Sequence, residues 1–568
     1  MAAAALTLVL TGPLPGQLAN PLPPMDDSGL EIEIEEWITI PASSTSSMQA
    51  RISHLKPCPD GSRLFCNDLR GKFWVIADTD ATAPAEFLDM AGHFPDFISS
   101  PGLGTGFASF AFHPEFAASG APGYGKFFTT HVEDPSNAPG PDFAGPLNPS
   151  TRQHGVVTEW TMTNHADNAL TDGPANFTRR ELLRIGFPSQ VHGLQEIAVD
   201  PTAVPGDPNY GCLFICVGDG GAVYVEVPGN TGRVDSALGT ILRILPVLSP
   251  GQSATAYTTS ANGAYFIPNT NPFLAATDPT PGDGAGVVRE IYAYGFRNPH
   301  RVSWDAEGSH KMICGVIGED NIEEIEVVEP GGHYGWPSRA GSYLFDPGDP
   351  DFVFPLPAPD TAPPSSPPAP AAYSYPAAQY DHDEGLAVVG GFVYRGSSIP
   401  ELYGRYLCGD IAKGGLFVTP EDDLRLEPPA ASGDAPATLR TLGLRFAGSA
   451  TDLLTVLDRS RADLRFGIDH EGELYLLSKQ SAKIYRVLPV PRTFVDATIE
   501  AEANSASLHF PTRVGATYRS WFSPDLRFWA ISGDTTPGDG NPGVLDDAPL
   551  TGRRFFRVEE LLPPSSGP

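Results

Sequence analysis

Positive charge is what this sequence has least of for its size: 36 Lys+Arg stand against 68 Asp+Glu in 568 residues, a net charge of −32. A surface of that sign repels phosphate backbones and anionic lipid, which argues against nucleic-acid or membrane-surface partners. The excess of carboxylates serves solubility, and some of it can serve calcium. Long apolar runs are missing as well. The N-terminal run in MAAAALTLVLTGPLPGQLANP is too short to span a bilayer, and no later segment reaches spanning length. That stretch resembles a secretory signal without the basic n-region. Residues 1–24 are therefore expected to be an export segment, and the protein to be secreted, periplasmic or on the cell surface. Cysteine is sparse, six residues in all, and none has zinc-ligand spacing. An oxidising compartment would permit disulfides. Cys212 and Cys216 in GCLFICVGDG lie too far apart for a bridge within one extended strand, so the role expected of them is that of buried small hydrophobes.

Glycine and proline are abundant instead, 60 and 59 residues, with 41% hydrophobic and 10% aromatic residues. That composition supports a sizeable core built from many short strands joined by turns. One unit recurs six times: an acidic or Pro/Gly turn, a short apolar strand, often a Gly, and a second strand. The copies are CPDGSRLFCNDLRGKFWVI from Cys58, FHPEFAASGAPGYGKFFTTHV from Phe112 and VDPTAVPGDPNYGCLFICVGD from Val199. They continue with WDAEGSHKMICGVIGED from Trp304, IPELYGRYLCGDIAKGGLFV from Ile399 and IDHEGELYLLSKQSAKIYRV from Ile468. Each reads as two strands of a four-stranded blade. The fold expected is all-β: a six-bladed β-propeller over residues 25–490, with long loops on one face. Two such loops are DPSNAPGPDFAGPLNPSTRQHG and the Pro/Ala-rich FPLPAPDTAPPSSPPAPAAYSYP, the latter extended and without strand or helix. Residues 495–568 alternate apolar and polar but carry no copy of the unit. They predict a small C-terminal β-sandwich-like module. Its Trp521 and Trp529 are expected to be core aromatics, with carbohydrate binding as the alternative.

Four strand-edge stretches carry polar residues beyond what turns require. In VHGLQEIAVD, His192 precedes a strand whose partner ends in CVGDGG, so His192 and Asp219 can meet as a carboxylate-oriented general base; strand capping is the ordinary alternative. In GFRNPH, Gly295 and Pro299 make the turn, and Arg297 is surplus to it. GVIGEDNIEEIEVVEPGGHYGWP gathers Glu319, Asp320, Glu323 and Glu324 beside glycines, which suits a calcium loop or a solvated acidic one. In GDIAKGGLFV, Lys413 follows a strand, where it can hold an anion or simply face solvent.

Together, in this order and on this repeat, these motifs resemble the glucose/sorbosone dehydrogenase family. The further motifs are LGTILRI, YDHDEGLAVVGGFVYRG and FGIDHEGELYLLSKQSAKIYRV. The family comprises six-bladed propellers that include soluble sugar dehydrogenases using pyrroloquinoline quinone (PQQ), and also the propeller of hedgehog-interacting proteins. The resemblance implies a secreted PQQ- and Ca²⁺-dependent enzyme that oxidises an aldose sugar to its lactone and passes electrons to an acceptor. His192 falls on the catalytic base, Asp219 on the carboxylate that orients it, and Arg297 with Asn298 on the pair touching cofactor and reacting oxygen. Lys413 and Arg465 fall on residues that pair with the cofactor's carboxylates. The carbonyls of Gly318 and Glu319 fall on those that bind the cofactor's calcium, and Glu324 with the Tyr334 carbonyl on a second, structural calcium site. Three departures accompany these matches. Ile317 replaces a polar residue, Glu319 stands where proline is frequent, and Asp463-Leu464-Arg465 replaces an Arg-x-Arg pair. Those departures, and the acidic loop's likeness to the hedgehog-interacting branch, imply the alternative: a non-catalytic, calcium-stabilised propeller that binds carbohydrate or protein.

Overall fold

The computed structural model describes residues 16–76, 83–147, 151–170, 176–249, 251–274, 286–357, 360, 372–501, 506–527, 529–547 and 554–561. Most of the expected export segment and of the Pro/Ala-rich loop lies outside them. Short apolar runs cut by Gly, Pro and Asp turns pair with their sequence neighbours, giving four antiparallel strands per blade. Blade 1 runs from Ile52–Pro57 to Ala85–Asp89, blade 2 from Phe110–Phe112 to Phe177–Phe187, and blade 3 from Leu194–Val199 to Ile291–Tyr294. Blade 4 runs from Asn298–Trp304 to Ala378–Asp381, and blade 5 from Val388–Val393 to Arg440–Phe446. Blade 6 takes Leu464–Ile468, Leu474–Ser478 and Lys483–Pro489, and borrows its fourth strand, Asp27–Thr39, from the N-terminal side of the chain.

That borrowed strand closes the ring. It reads DSGLEIEIEEWIT; Leu30, Ile32 and Ile34 are buried, and the alternating glutamates face outward or towards the rim. Ile34 pairs with Val487 antiparallel, while Ile32 pairs with Leu444 of blade 5 in parallel. Burying those three side chains contributes about 1.5–3 kcal/mol each, which is how two distant ends of the sequence stay joined. The repeated unit corresponds to the turn before each blade's second strand together with that strand, and in the copies from Cys58, Ile399 and Ile468 it reaches into the third strand as well, the two strands expected.

Six apolar clusters fill the six gaps between blades. The gap between blades 1 and 2 is packed with phenylalanine (Phe65, Phe73, Phe87, Phe110, Phe112 and Phe127) around Trp160. The gap between blades 5 and 6 also receives Trp521 and Trp529. These two tryptophans are 1% and 2% exposed, so they are core aromatics that seat the C-terminal module on the propeller. The module is a sandwich of a four-stranded and a three-stranded sheet built from residues 493–561. All six cysteines are buried and unbridged.

The first strands of the blades touch one another around the axis. There, polar groups from several blades meet. Lys56 donates to Glu196 Oε1 at 2.6 Å and to the carbonyls of Phe110 and Ile197. Arg301 donates to Ser53 Oγ at 2.9 Å and lies 3.7 Å from Glu196. A single buried carboxylate shared by a lysine and an arginine offsets only part of their positive charge at the axis.

Candidate active site

His192 sits just before the inner strand of blade 3, with φ +49°. Its carbonyl accepts from Gly220 N, and Gly193 O accepts from Gly218 N, so the HGL and VGDGG segments are laced together by backbone. A Cβ on Gly218 would lie 2.4 Å from His192 O, so the close approach requires glycine. This lacing puts His192 Nδ1 2.8 Å from Asp219 Oδ1. Asp219 is 1% exposed and also accepts from Gly221 N at 2.8 Å. Burial works to raise its carboxyl, but His192, Arg297 and the Gly221 N–H outweigh it and hold it below the usual carboxylate range. With Nδ1 fixed, Nε2 has no partner among the described residues, and the imidazole lines a cavity of about 610 Å³ to which edges of blades 1, 3, 4, 5 and 6 contribute.

Arg297 lies next to this dyad, since its carbonyl accepts from Asp219 N at 2.8 Å. Its guanidinium, however, turns away from the cavity. Nε and Nη2 reach Glu319 Oε2 at 2.8 and 2.7 Å, and Nη2 donates to Tyr224 Oη at 2.7 Å. Tyr224 Oη in turn donates to Glu319 Oε1 at 2.9 Å, closing a ring of three side chains. Burial lowers Arg297, yet Glu319, Tyr224 and Asp219 together raise it above its ordinary value. The Tyr224 phenol is pushed up to about 12 by burial, with Glu319 adding to the effect. Tyr224 keeps an exposed ring, 58% accessible, on the cavity wall 6.0 Å from His192. Asn298 also lines the cavity; it is 3% exposed and its Oδ1 has no hydrogen-bond partner among the described residues.

The remaining sequence candidates divide. Arg465 lines the cavity, with Nη1 on the Leu464 carbonyl and Nε without a partner among the described residues. Lys413 does not line it: Nζ donates to the carbonyls of His382 and Asp383 at 2.9 and 2.8 Å. Asp410 organises that turn by accepting from Leu386, Ala387, Ala412 and Lys413 N.

No metal-like cluster of three His, Cys, Asp or Glu occurs among the described residues. Calcium, though, takes backbone carbonyls as readily as carboxylates. The carbonyls of Gly318, Glu319 and Tyr334 accept no hydrogen bond among the described residues. Glu324 and Glu326 share one face of the strand Ile322–Val327; Glu324 accepts from Gly341 N, whereas both Glu326 oxygens are buried without a partner among the described residues. Burial pushes the Glu324 carboxyl up to about 8 and Glu326 well above its ordinary value. Two buried carboxylates on one face cannot both ionise without a cation, so this oxygen-only donor set fits a hard divalent ion.

Sequence reasoning missed several residues of the cavity. Arg51, Arg301, Arg461 and Lys479 line it together with Arg465, and Asp463 is the single carboxylate among its lining residues. The signal was the one used for Lys413, a cation beside an inner or second strand: Arg51 precedes Ile52–Pro57 and Lys479 follows Leu474–Ser478. The donor chemistry of this wall fits a small polyanion. Tyr224 was missed because nothing in GAVYVEV sets it apart from a packing aromatic.

Comparison with known proteins adds the following. Residues 207–427 match the family model described as glucose/sorbosone dehydrogenase. The HIPL2 protein of Arabidopsis thaliana is 28% identical over 527 residues, covering 86% of this chain and 68% of that protein. Over 56 residues the chain is 40% identical to quinoprotein glucose dehydrogenase B of Acinetobacter calcoaceticus, which is 10% of this chain and 11% of the other. The apo form of a soluble aldose sugar dehydrogenase from Escherichia coli aligns with a TM-score of 0.50 at 17% identity, over 81% of this chain and 99% of its own, a likeness of fold. The resemblance read from the motifs, to the glucose/sorbosone dehydrogenase family, is thereby borne out.

Proposed function

From that family resemblance, we propose that the protein is a PQQ- and calcium-dependent dehydrogenase, active outside the cytoplasm, that oxidises an aldose at its anomeric carbon to the lactone and passes the electrons to an external acceptor. The observation that carries this reading is the His192–Asp219 pair at 2.8 Å, with Nε2 turned to a cavity walled by cations. His192 Nε2 would take the proton of the anomeric hydroxyl, while Asp219 fixes the tautomer and balances the imidazolium that forms. Asn298 offers its unpartnered Oδ1 to a ligand donor beside the base. Arg465, with its cationic neighbours, would hold the carboxylates of the quinone. When bound, PQQ supplies the hydride acceptor, and calcium on the Gly318 and Glu319 carbonyls supplies a Lewis acid beside it. Glu324 and the Tyr334 carbonyl, with Glu326, would hold a second calcium that neutralises the buried carboxylates. Lys413, placed on the His382 and Asp383 carbonyls, would have to leave them to reach a cofactor carboxylate.

One observation favours a second reading, a non-catalytic, calcium-stabilised propeller that binds carbohydrate or protein at its loop face. Arg297, the residue that would touch cofactor and substrate, is already paired with Glu319. The two readings separate in one assay. Purified protein is reconstituted with PQQ and Ca²⁺ and screened against aldoses with an artificial dye acceptor. Dye reduction with at least one aldose supports the enzyme; no reduction across the screen would sink it in favour of the second reading.

A further inference from the structure

A second cavity, of about 790 Å³, lies between blades 2 and 3 and shares no lining residue with the central one. Blade 3 builds it by interrupting the path from its third strand, Thr240–Ile244, to its fourth, Ile291–Tyr294. The insertion carries a hairpin of Tyr257–Thr259 and Phe266–Pro268. Leu245 and Phe266 exchange backbone hydrogen bonds at 2.8 and 2.9 Å, which ties the base of the hairpin to blade 3. Its tip is tied to blade 2, where Asn262 Nδ2 donates to the Leu182 carbonyl at 2.9 Å and to Asp142 Oδ1 at 3.2 Å. The enclosed space is lined by Phe143, Ile267, Leu274 and Val288, together with Tyr265 and Glu290. Its volume is that of a pocket for a small organic molecule, roughly 300–1,000 Å³.

Glu290 is the group this wall leaves incomplete. It is 5% exposed, and Tyr265 Oη, itself 3% exposed, donates to its Oε1 at 2.8 Å. Among the described residues Oε2 accepts no hydrogen bond, and no cation lies within ion-pair distance of the carboxyl. The other two carboxylates of the cavity are served by the protein. Asp142 accepts from Arg184 N and Asn262, and Arg233 holds both oxygens of Asp235. Burial raises the Glu290 carboxyl above its ordinary value and Asp142 adds to the rise, although the Tyr265 hydroxyl and Arg289 oppose it. Arg289 lines the cavity but is exposed, so water screens it.

Three kinds of ligand could meet that open oxygen, and they differ in what they leave unsatisfied. A neutral hydroxyl would donate to it but leave the buried charge uncompensated. A metal ion would need about six oxygen donors, far more than one carboxyl supplies. A cationic N–H donor on an apolar body supplies both the hydrogen bond and the charge, and its body matches the rest of the wall. We propose that this cavity binds a small organic ammonium ion, with Glu290 as its counter-charge and Phe143, Ile267, Leu274 and Val288 around its apolar body. The net charge of −32 draws such a cation towards the protein, whereas the cationic wall of the central cavity repels it. The site uses none of the residues assigned to sugar oxidation and does not depend on that reading.

The test is calorimetric titration of the full chain near neutral pH with cyclohexylamine, which is then an ammonium ion, and with cyclohexanol, which has the same ring and no charge. Wild type is expected to bind the ammonium roughly 10-fold or more tightly than the alcohol. Glu290→Gln keeps the size and an acceptor for Tyr265, and should remove that preference while changing alcohol affinity by less than about 2-fold. The unliganded variant should keep its Tm or gain, because an uncompensated buried carboxyl is gone. Leu274→Trp, which fills the cavity and leaves the carboxyl in place, should weaken both ligands. No binding of cyclohexylamine, equal affinity for amine and alcohol, a preference that survives Glu290→Gln, or amine affinity untouched by Leu274→Trp would each overturn the proposal. No readout involves turnover, so failure of the dye assay would refute the dehydrogenase reading and leave this one standing.

Discussion

Glu319→Gln tests whether the Arg297–Glu319–Tyr224 ring holds the arginine in place. The substitution keeps size and one acceptor oxygen but removes the charge from a pair whose side chains are 5% and 4% exposed. At an effective dielectric near 20, two unit charges about 4 Å apart attract by ~4 kcal/mol. The carboxylate also gives up part of three hydrogen bonds, from Arg297 Nε, Arg297 Nη2 and Tyr224 Oη. Asp219, which also favours the charged arginine, offsets some of this loss. The net expectation is a loss of about 3 kcal/mol, in the range for breaking one side of a buried pair. Guanidinium unfolding of wild type and variant, followed by tryptophan fluorescence, reads it. Trp336 is a nearby reporter, with the Arg297 guanidinium 5.8 Å from its ring. A change within about 0.5 kcal/mol, or a gain, would mean that desolvation already cancels the pair and that Glu319 does not hold Arg297.

Three further outcomes are expected. His192→Ala should abolish aldose-dependent dye reduction while PQQ affinity stays within roughly 3-fold; equal loss of both would make His192 a structural residue. Burial holds the imidazoles of His54 and His113 at about 3 and about 4, against an ordinary 6.5. The unfolded chain takes up protons below pH 6.5 that these native sites refuse, so their contribution is complete above pH 6.5 and is lost as pH falls towards 4. At pH 5 this amounts to about 1–2 kcal/mol per histidine, read as a lower Tm than at pH 7.5; equal values would contradict it. Trp521→Ala should destabilise by about 3–5 kcal/mol and make the junction near residue 490 protease-sensitive. Its ring lies under Arg492 and Arg519 and its Nε1 donates to Glu559 at 2.7 Å. Loss of carbohydrate affinity with unchanged stability would instead make it a binding residue.

Much of this architecture was legible because it is local. The turn before each second strand repeats in sequence, so the blades could be counted, and HGL and GDGG name both halves of the base pair. What stayed hidden depends on distant neighbours. LEIEIEEWIT announces a strand, but nothing in it says that Ile34 pairs with Val487. The motif FRN announces an arginine in need of a partner. That the partner is Glu319 follows only once the turn after the strand Met312–Ile317 is folded back on it. Lys413 shows the converse. Its position beside a strand was visible, whereas its capture by two carbonyls belongs to the loop ahead of blade 5. Arg51 and Lys479 come from blades at opposite ends of the sequence that closure makes adjacent, so their convergence with Arg465 had no linear signature.

The central claim is that His192 serves as the base for a quinone held in the cationic cavity. The most direct measurement is anaerobic single turnover: protein loaded with PQQ and Ca²⁺ is mixed with an aldose, and the quinone absorbance is followed. Rapid, stoichiometric bleaching in wild type that is absent in His192→Ala is the result this account predicts. Tight PQQ binding with no bleaching by any aldose, or bleaching that survives in His192→Ala, would contradict it.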